Sequence, residues 1–125
     1  MKAEDIKRVF HAWKMIFQEH VEQLTALDSV GGDGDLGVVM RDGFRIADEF
    51  VTACDEQDIG RLVYMAGKKF NSVASSSMGT LISSGFMKIG KQLKGKEELQ
   101  DVELGVLLQG MAEGVMTCLL YTSDA

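Results

Sequence analysis

The sequence predicts an all-α fold, an antiparallel bundle of about five amphipathic helices. Three observations predict it. Proline is absent from all 125 residues. No alternating β-branched run bounded by turns marks a strand. Apolar residues instead recur at steps of three, four and seven between short polar or glycine-rich breaks. A chain of this length, 46% hydrophobic and 26% charged, forms one domain rather than two.

The elements follow in order. The first helix is predicted from about Glu4 to Leu27, with Ile6, Val9, Phe10, Trp13, Phe17, Leu24 and Leu27 on one face. Asp28 to Gly37 is a glycine-rich loop. The second helix runs on to about Cys54, with Met40, Phe44, Ala47, Phe50 and Val51 inward. "CDEQD" breaks it, and Asp58 is suited to cap the third helix, which carries Ile59, Leu62, Met65, Ala66, Phe70 and Val73. "ASSSMG" at Ala74–Gly79 is a second small-residue loop. The fourth helix takes Leu81, Ile82, Phe86 and Ile89 and ends around Gly95. A fifth is expected from about Glu97 to Met116, with Leu99, Val102, Val106, Leu107, Met111 and Val115. Short connections make neighbouring helices antiparallel. The eight methionines suit an adaptable helical core.

Bulk properties narrow the function. A net charge of −6 gives no electrostatic footprint for nucleic acid. No apolar run approaches the roughly 18 residues of a membrane span, and no signal peptide is visible. Cys54 and Cys118 lie far apart without metal spacing and read as reduced thiols of a cytoplasmic protein. His11 and His20 sit among charged residues of the first helix, as solvated or packing residues rather than catalysts.

"GDGDLG", Gly32 to Gly37, fits the G-x-G-x-x-G dinucleotide fingerprint, yet a helix rather than a strand precedes it. Aspartates in its variable slots would repel a bare pyrophosphate. An EF-hand register from Asp33 fails, since Gly37, Val38 and Phe44 fall at positions five, six and twelve. "GFMKIGKQ", Gly85 to Gln92, ends in Gln where a P-loop needs Ser or Thr. What remains is Asp28, Asp33 and Asp35 in a glycine-rich turn entering a helix. Three ionised carboxylates this close repel one another unless a hard divalent cation lies between them. Magnesium there would hold phosphate, supported by the positive end of the following helix. A solvated acidic turn with Asp35 as helix cap explains the spacing equally well.

The run "LDSVGGDGDLGVVMRDGF" resembles the nucleotide-binding L subunit (DhaL-type domain) of dihydroxyacetone kinase. The matching positions are Leu27-Asp28, Gly32-Asp33-Gly34-Asp35, Gly37, Met40 and Gly43-Phe44. "DIG" at Asp58–Gly60 and "SSSMGTL" at Ser75–Leu81 are also similar. The resemblance implies a barrel of antiparallel helices with ADP or ATP at one end. Its phosphates would be held through two Mg²⁺ ions by Asp28, Asp33 and Asp35. Leu36, Gly37, Val38 and Val39 would contact nucleotide, and Ser77, Met78 and Gly79 would line the phosphate side. Antiparallel neighbours make the second and fourth helices parallel, so the two loops are expected at one end of the bundle, and the spacing of the three aspartates predicts that they converge on a common centre. No residue of this chain would be catalytic in its own right. The hydroxyketone would be held by a partner K-type subunit, and a phosphohistidine M-type phosphotransferase-system protein recharges the nucleotide in some members. A homodimer is compatible with the sequence.

Three positions depart from the pattern. Leu36 stands where histidine is common, Val39 where asparagine is usual and Met78 where a serine is expected. Each removes a polar contact near the phosphates. The alternative function is a non-catalytic helical module that binds magnesium nucleotide for regulation or interaction.

The ending "CLLYTSDA", 118–125, resembles a translated adapter, so the domain is expected to occupy 1–117 as a truncated piece. Five helices would then leave the barrel open, with Phe10, Trp13, Phe17, Val106, Leu107 and Met111 partly in water. Weak or absent catalysis by the chain alone, and self-association, are the expected consequences.

Overall fold

A computed structural model describes residues 1–29, 36–74, 76–100 and 109, without the side chain of Asp28. Five helices are described: α1 Ala3–Glu19, α2 Val21–Asp28, α3 Leu36–Ala53, α4 Ile59–Val73 and α5 Ser77–Gln92. None is long and apolar enough to cross a membrane.

The single first helix expected from the pattern is two. His20 leaves helical geometry (φ −108°, ψ 15°) and joins α1 to α2. The bend seats Val21 and Thr25 against Gly37 at the start of α3. It also turns Leu27 outward, where it is 72% exposed rather than inward. Helices α3, α4 and α5 begin and end close to their expected bounds. Asp58 caps α4 by accepting from the Arg61 amide at 3.2 Å, and Ser76 caps α5 by accepting from the Gly79 amide at 3.1 Å.

The core is built on aromatic side chains. Phe44 of α3 lies between the Phe17 ring, stacked at 4.8 Å, and the Phe70 ring, edge-on at 5.0 Å. Phe86 of α5 meets Phe10 at 5.3 Å and Trp13 at 5.7 Å. Phe10 is therefore 2% exposed, which corrects its expected position in water. Trp13 and Phe17 are partly buried and pack on the same core. The inward face of α1 meets rings from both α3 and α5, so it needs no further helix to cover Phe10. The exposed large apolar residues of α1 are instead Met15 and Ile16. Val73, expected inward, falls in the last turn of α4 and is exposed.

Directions follow from these pairs. Phe17 meets Phe44 near one end of the α1–α3 seam, and Lys7 donates to the Cys54 carbonyl at 2.6 Å near the other. Those helices are antiparallel. Gly43 lies on Phe70, and the connector Cys54–Asp58 closes the opposite end, so α3 and α4 are antiparallel too. Gly67 faces Phe86, Tyr64 faces Gly90 and Gly60 faces Leu93, which makes α5 antiparallel to α4. Midway along the α1–α3 seam, buried Asp48 faces His11 and Lys14.

The expected fifth helix does not begin at Glu97. Residues 97–100 are non-helical, and Glu98 forms an isolated antiparallel bridge with Lys2. The Leu99 amide donates to the Met1 carbonyl at 2.7 Å, and the terminal ammonium donates back to Leu99 at 3.0 Å. The Ile59 amide donates to Lys96 at 2.7 Å. Backbone pairing across the base of the bundle takes the place of the helical turn that local pattern favoured. Val102, Val106, Leu107, Met111 and Val115 lie outside the described residues, as does the tail 118–125.

Candidate functional site

Helices α3 and α5 both run antiparallel to α4, so they run parallel to each other. Their N-termini therefore share one end of the bundle, as the two-loop expectation required. Helix α2 is there as well, because Val21 and Thr25 pack on Gly37. Asp28 is the last residue of α2, and Asp33 and Asp35 immediately precede α3 in sequence. The side chain of Asp28, and Asp33 and Asp35 entirely, lie outside the described residues, and so does their convergence. Among the described residues no group of three His, Cys, Asp or Glu is placed to hold a metal. The donor set itself is three carboxylates, oxygen ligands of the kind magnesium takes.

The expected nucleotide residues divide by environment. Val38, Ser77 and Met78 are exposed at this end. Leu36 and Val39 are partly buried and pack against the core. Gly37 and Gly79 are buried, and packing already requires both to be glycine. A Cβ on Gly37 would meet the Val21 carbonyl and the Thr25 hydroxyl, which itself donates to Val21 at 2.8 Å. A Cβ on Gly79 would meet the Ala74 carbonyl. Leu36–Val38 and Ser77–Gly79 begin the first turns, where helix amides lack intrahelical acceptors and the dipole end is positive, whereas the Thr80 amide already donates to the Ser76 carbonyl at 2.9 Å. Ser76 satisfies one of these amides in α5, that of Gly79. Two positive helix ends thus lie at the end where α2 and α3, the helices that flank the acidic loop in sequence, come together.

Sequence reasoning placed the small-residue loop but missed two parts of it. Ser76 is the cap of α5, and the spacing Ser76 to Gly79 was its available signal. The second is an apolar rim. Leu27, Val38, Val73 and Met78 are all exposed, and each belongs to a helix terminus at this end. No local pattern marks such a rim, since its members come from four helices.

A domain model described as the DAK2 domain matches residues 30–119. The chain belongs to the DAK2 domain family. The matched stretch of this DAK2 domain begins inside the aspartate loop, after Asp28 and ahead of Asp33 and Asp35, and includes both helix N-termini of the shared end. Among curated proteins, it is 34% identical to the ADP-binding subunit DhaL of PEP-dependent dihydroxyacetone kinase 2 from Listeria innocua serovar 6a. That match covers 78% of this chain and 46% of the relative. It is 29% identical to the ADP-binding subunit DhaL of the PEP-dependent dihydroxyacetone kinase of Escherichia coli (strain K12), over 82% of this chain and 49% of the relative. The DAK2 domain chain spans about half the length of the curated relatives it matches.

Proposed function

We propose that this DAK2 domain binds a magnesium-bound adenine nucleotide at the end where α3 and α5 begin, as part of a kinase acting on a small hydroxyketone, dihydroxyacetone in the first instance. One observation carries the reading. The helices that flank the acidic loop in sequence, α2 and α3, meet at the end where α5 also begins, in a chain whose relatives are ADP-binding kinase subunits.

The roles divide among this chain's own residues. Asp28, Asp33 and Asp35 hold two Mg²⁺ ions, whose charge, when bound, offsets that of the nucleotide phosphates. The first turns of α3 and α5 present amides and positive dipole ends to the same phosphates. The Ser77 hydroxyl is exposed beside them and free of the capping role that Ser76 fills. Val38 and Met78 supply apolar contact at the rim. Phosphoryl transfer depends chiefly on positioning and charge neutralisation, so no side chain here acts as nucleophile. The acceptor is held by a K-type subunit docked on this rim. The relatives' dependence on PEP favours a resident ADP, recharged by an M-type phosphohistidine protein in the cytoplasm, over free ATP.

Calorimetric titration of the chain with ADP, with magnesium and with chelator, tests the proposal. Binding that needs the metal, and that weakens at least about tenfold in Asp33→Asn and Asp35→Asn, is expected. Absence of MgADP binding, or equal binding with chelator, would overturn it.

A further inference from the structure

Charge is unevenly distributed along the chain. Seven of its thirteen Lys and Arg residues, and none of its nineteen Asp and Glu residues, lie between Ile59 and Lys96. The α4–α5 hairpin is therefore a basic unit in an acidic protein. Its outer side holds a groove of about 510 Å³ lined by Arg61, Tyr64, Met65, Lys91 and Lys94. Tyr64 and Met65 are half-buried there, whereas Arg61, Lys91 and Lys94 are exposed. Gly60 and Gly90 also line it, where close packing of the helices leaves no room for a side chain on either. Arg61 is paired with Glu56 at 3.5 Å, so the groove has apolar walls and a cationic rim carried by Lys91 and Lys94.

The complementary surface is on α1. Ala12, Met15, Ile16 and Glu19 are spaced three, four and seven residues apart, so they share one exposed face. Met15 is 51% and Ile16 48% exposed, and Glu22 at the start of α2 adds a second carboxylate nearby in sequence. Phe10 and Trp13 hold the opposite face of α1 on the core. Within one molecule both surfaces point away from the same core and cannot meet.

We propose that the α4–α5 groove receives the Met15–Ile16 face of α1 from a second copy of this chain. Met15 and Ile16 enter against Tyr64 and Met65, and Glu19 lies toward Lys91 and Lys94. The contact joins unlike surfaces, so it propagates head to tail into a ring or an open chain instead of stopping at a two-fold dimer. Its ionic part weakens with salt, while its apolar part does not.

Sedimentation velocity on the whole chain, over a range of concentrations at low and high salt, tests this. Expected are a mass that grows with concentration and falls with salt, and monomers for Ile16→Glu and for Lys91→Glu with Lys94→Glu. Mixing those two variants leaves one intact knob and one intact groove, so the mixture should form a one-to-one dimer and nothing larger. Circular dichroism checks folding, and Glu19→Lys, which changes charge alone, provides a second test by weakening association. A wild-type chain that stays monomeric would overturn the proposal, as would association that either variant leaves unchanged. A mixture that stays monomeric would do the same, leaving the groove to a different occupant such as an acidic helix of another protein.

Discussion

The Lys14 ammonium lies 3.7 Å from the carboxylate of Asp48, whose side chain is only 7% exposed, and the pair joins α1 to α3. His11 Nδ1 reaches the same carboxylate oxygen at 3.3 Å. Lys14 is itself one-quarter exposed and His11 more than half. Removing the buried member therefore strands less than removing it from a fully dry pair. Lys14→Ala leaves the buried Asp48 carboxylate to His11 and Thr52 and should lower stability by about 1–3 kcal/mol, and Asp48→Ala should cost less, since the Lys14 and His11 it strands both reach water. Urea denaturation of both variants measures the asymmetry, and equal losses would contradict it.

Phe44 touches four rings, those of Trp13, Phe17, Phe70 and Phe86. Truncation to alanine should cost about 3–5 kcal/mol. Trp13, the only tryptophan, lies 5.5 Å from Phe44 and reports the change directly. Its emission should be blue-shifted in the native protein, and red-shifted at a lower denaturant concentration in Phe44→Ala.

Gly60 is pressed against the backbone of Leu93 and Lys94. Alanine would gain about 1 kcal/mol of helix propensity. The opposing atoms are backbone and cannot step aside, so overpacking should outweigh that gain and leave a net loss of about 1–2 kcal/mol. A thermal melt of Gly60→Ala shows the sign, and stabilisation would mean that α4 and α5 sit farther apart.

Ser76 and Ser77 are neighbours with separable roles. Ser76→Ala removes the α5 cap and should cost about 1 kcal/mol without nucleotide. Ser77 is exposed, so Ser77→Ala should leave the apo melt unchanged and weaken MgADP binding. Paired melts with and without ligand distinguish the two, and a nucleotide effect confined to Ser76 would remove Ser77 from the site.

Boundaries at α3, α4 and α5 were legible because small and acidic residues punctuate them, Asp58 and Ser76 through bonds the structure contains. The α1–α2 break was not, since neither glycine nor proline marks His20. Its reason lies in a distant residue, Gly37, against which α2 must rest. Leu27 and Val73 fit their helical stripes yet are exposed, because periodicity continues past the point where the core ends. Glu97–Gln100 read as a helix start, but pairing with Met1 and Lys2 is a long-range choice invisible to a local pattern. At the candidate site, the common end of the two loops followed from counting antiparallel turns. The glycines there had a second reading, since packing alone demands Gly37 and Gly79.

Helix α2 has a consequence for the energetics of ligand capture. It is eight residues long, and none of its described side chains is fully buried. A segment this short has no autonomous stability in water. It is held by its seat on α3, so local opening there costs far less than global unfolding, and its amides should exchange with solvent ahead of those in α4. Asp28 travels with it. Were the three aspartates to hold magnesium nucleotide as proposed, its binding would tie α2 down, and protection of the α2 amides would rise with ligand occupancy.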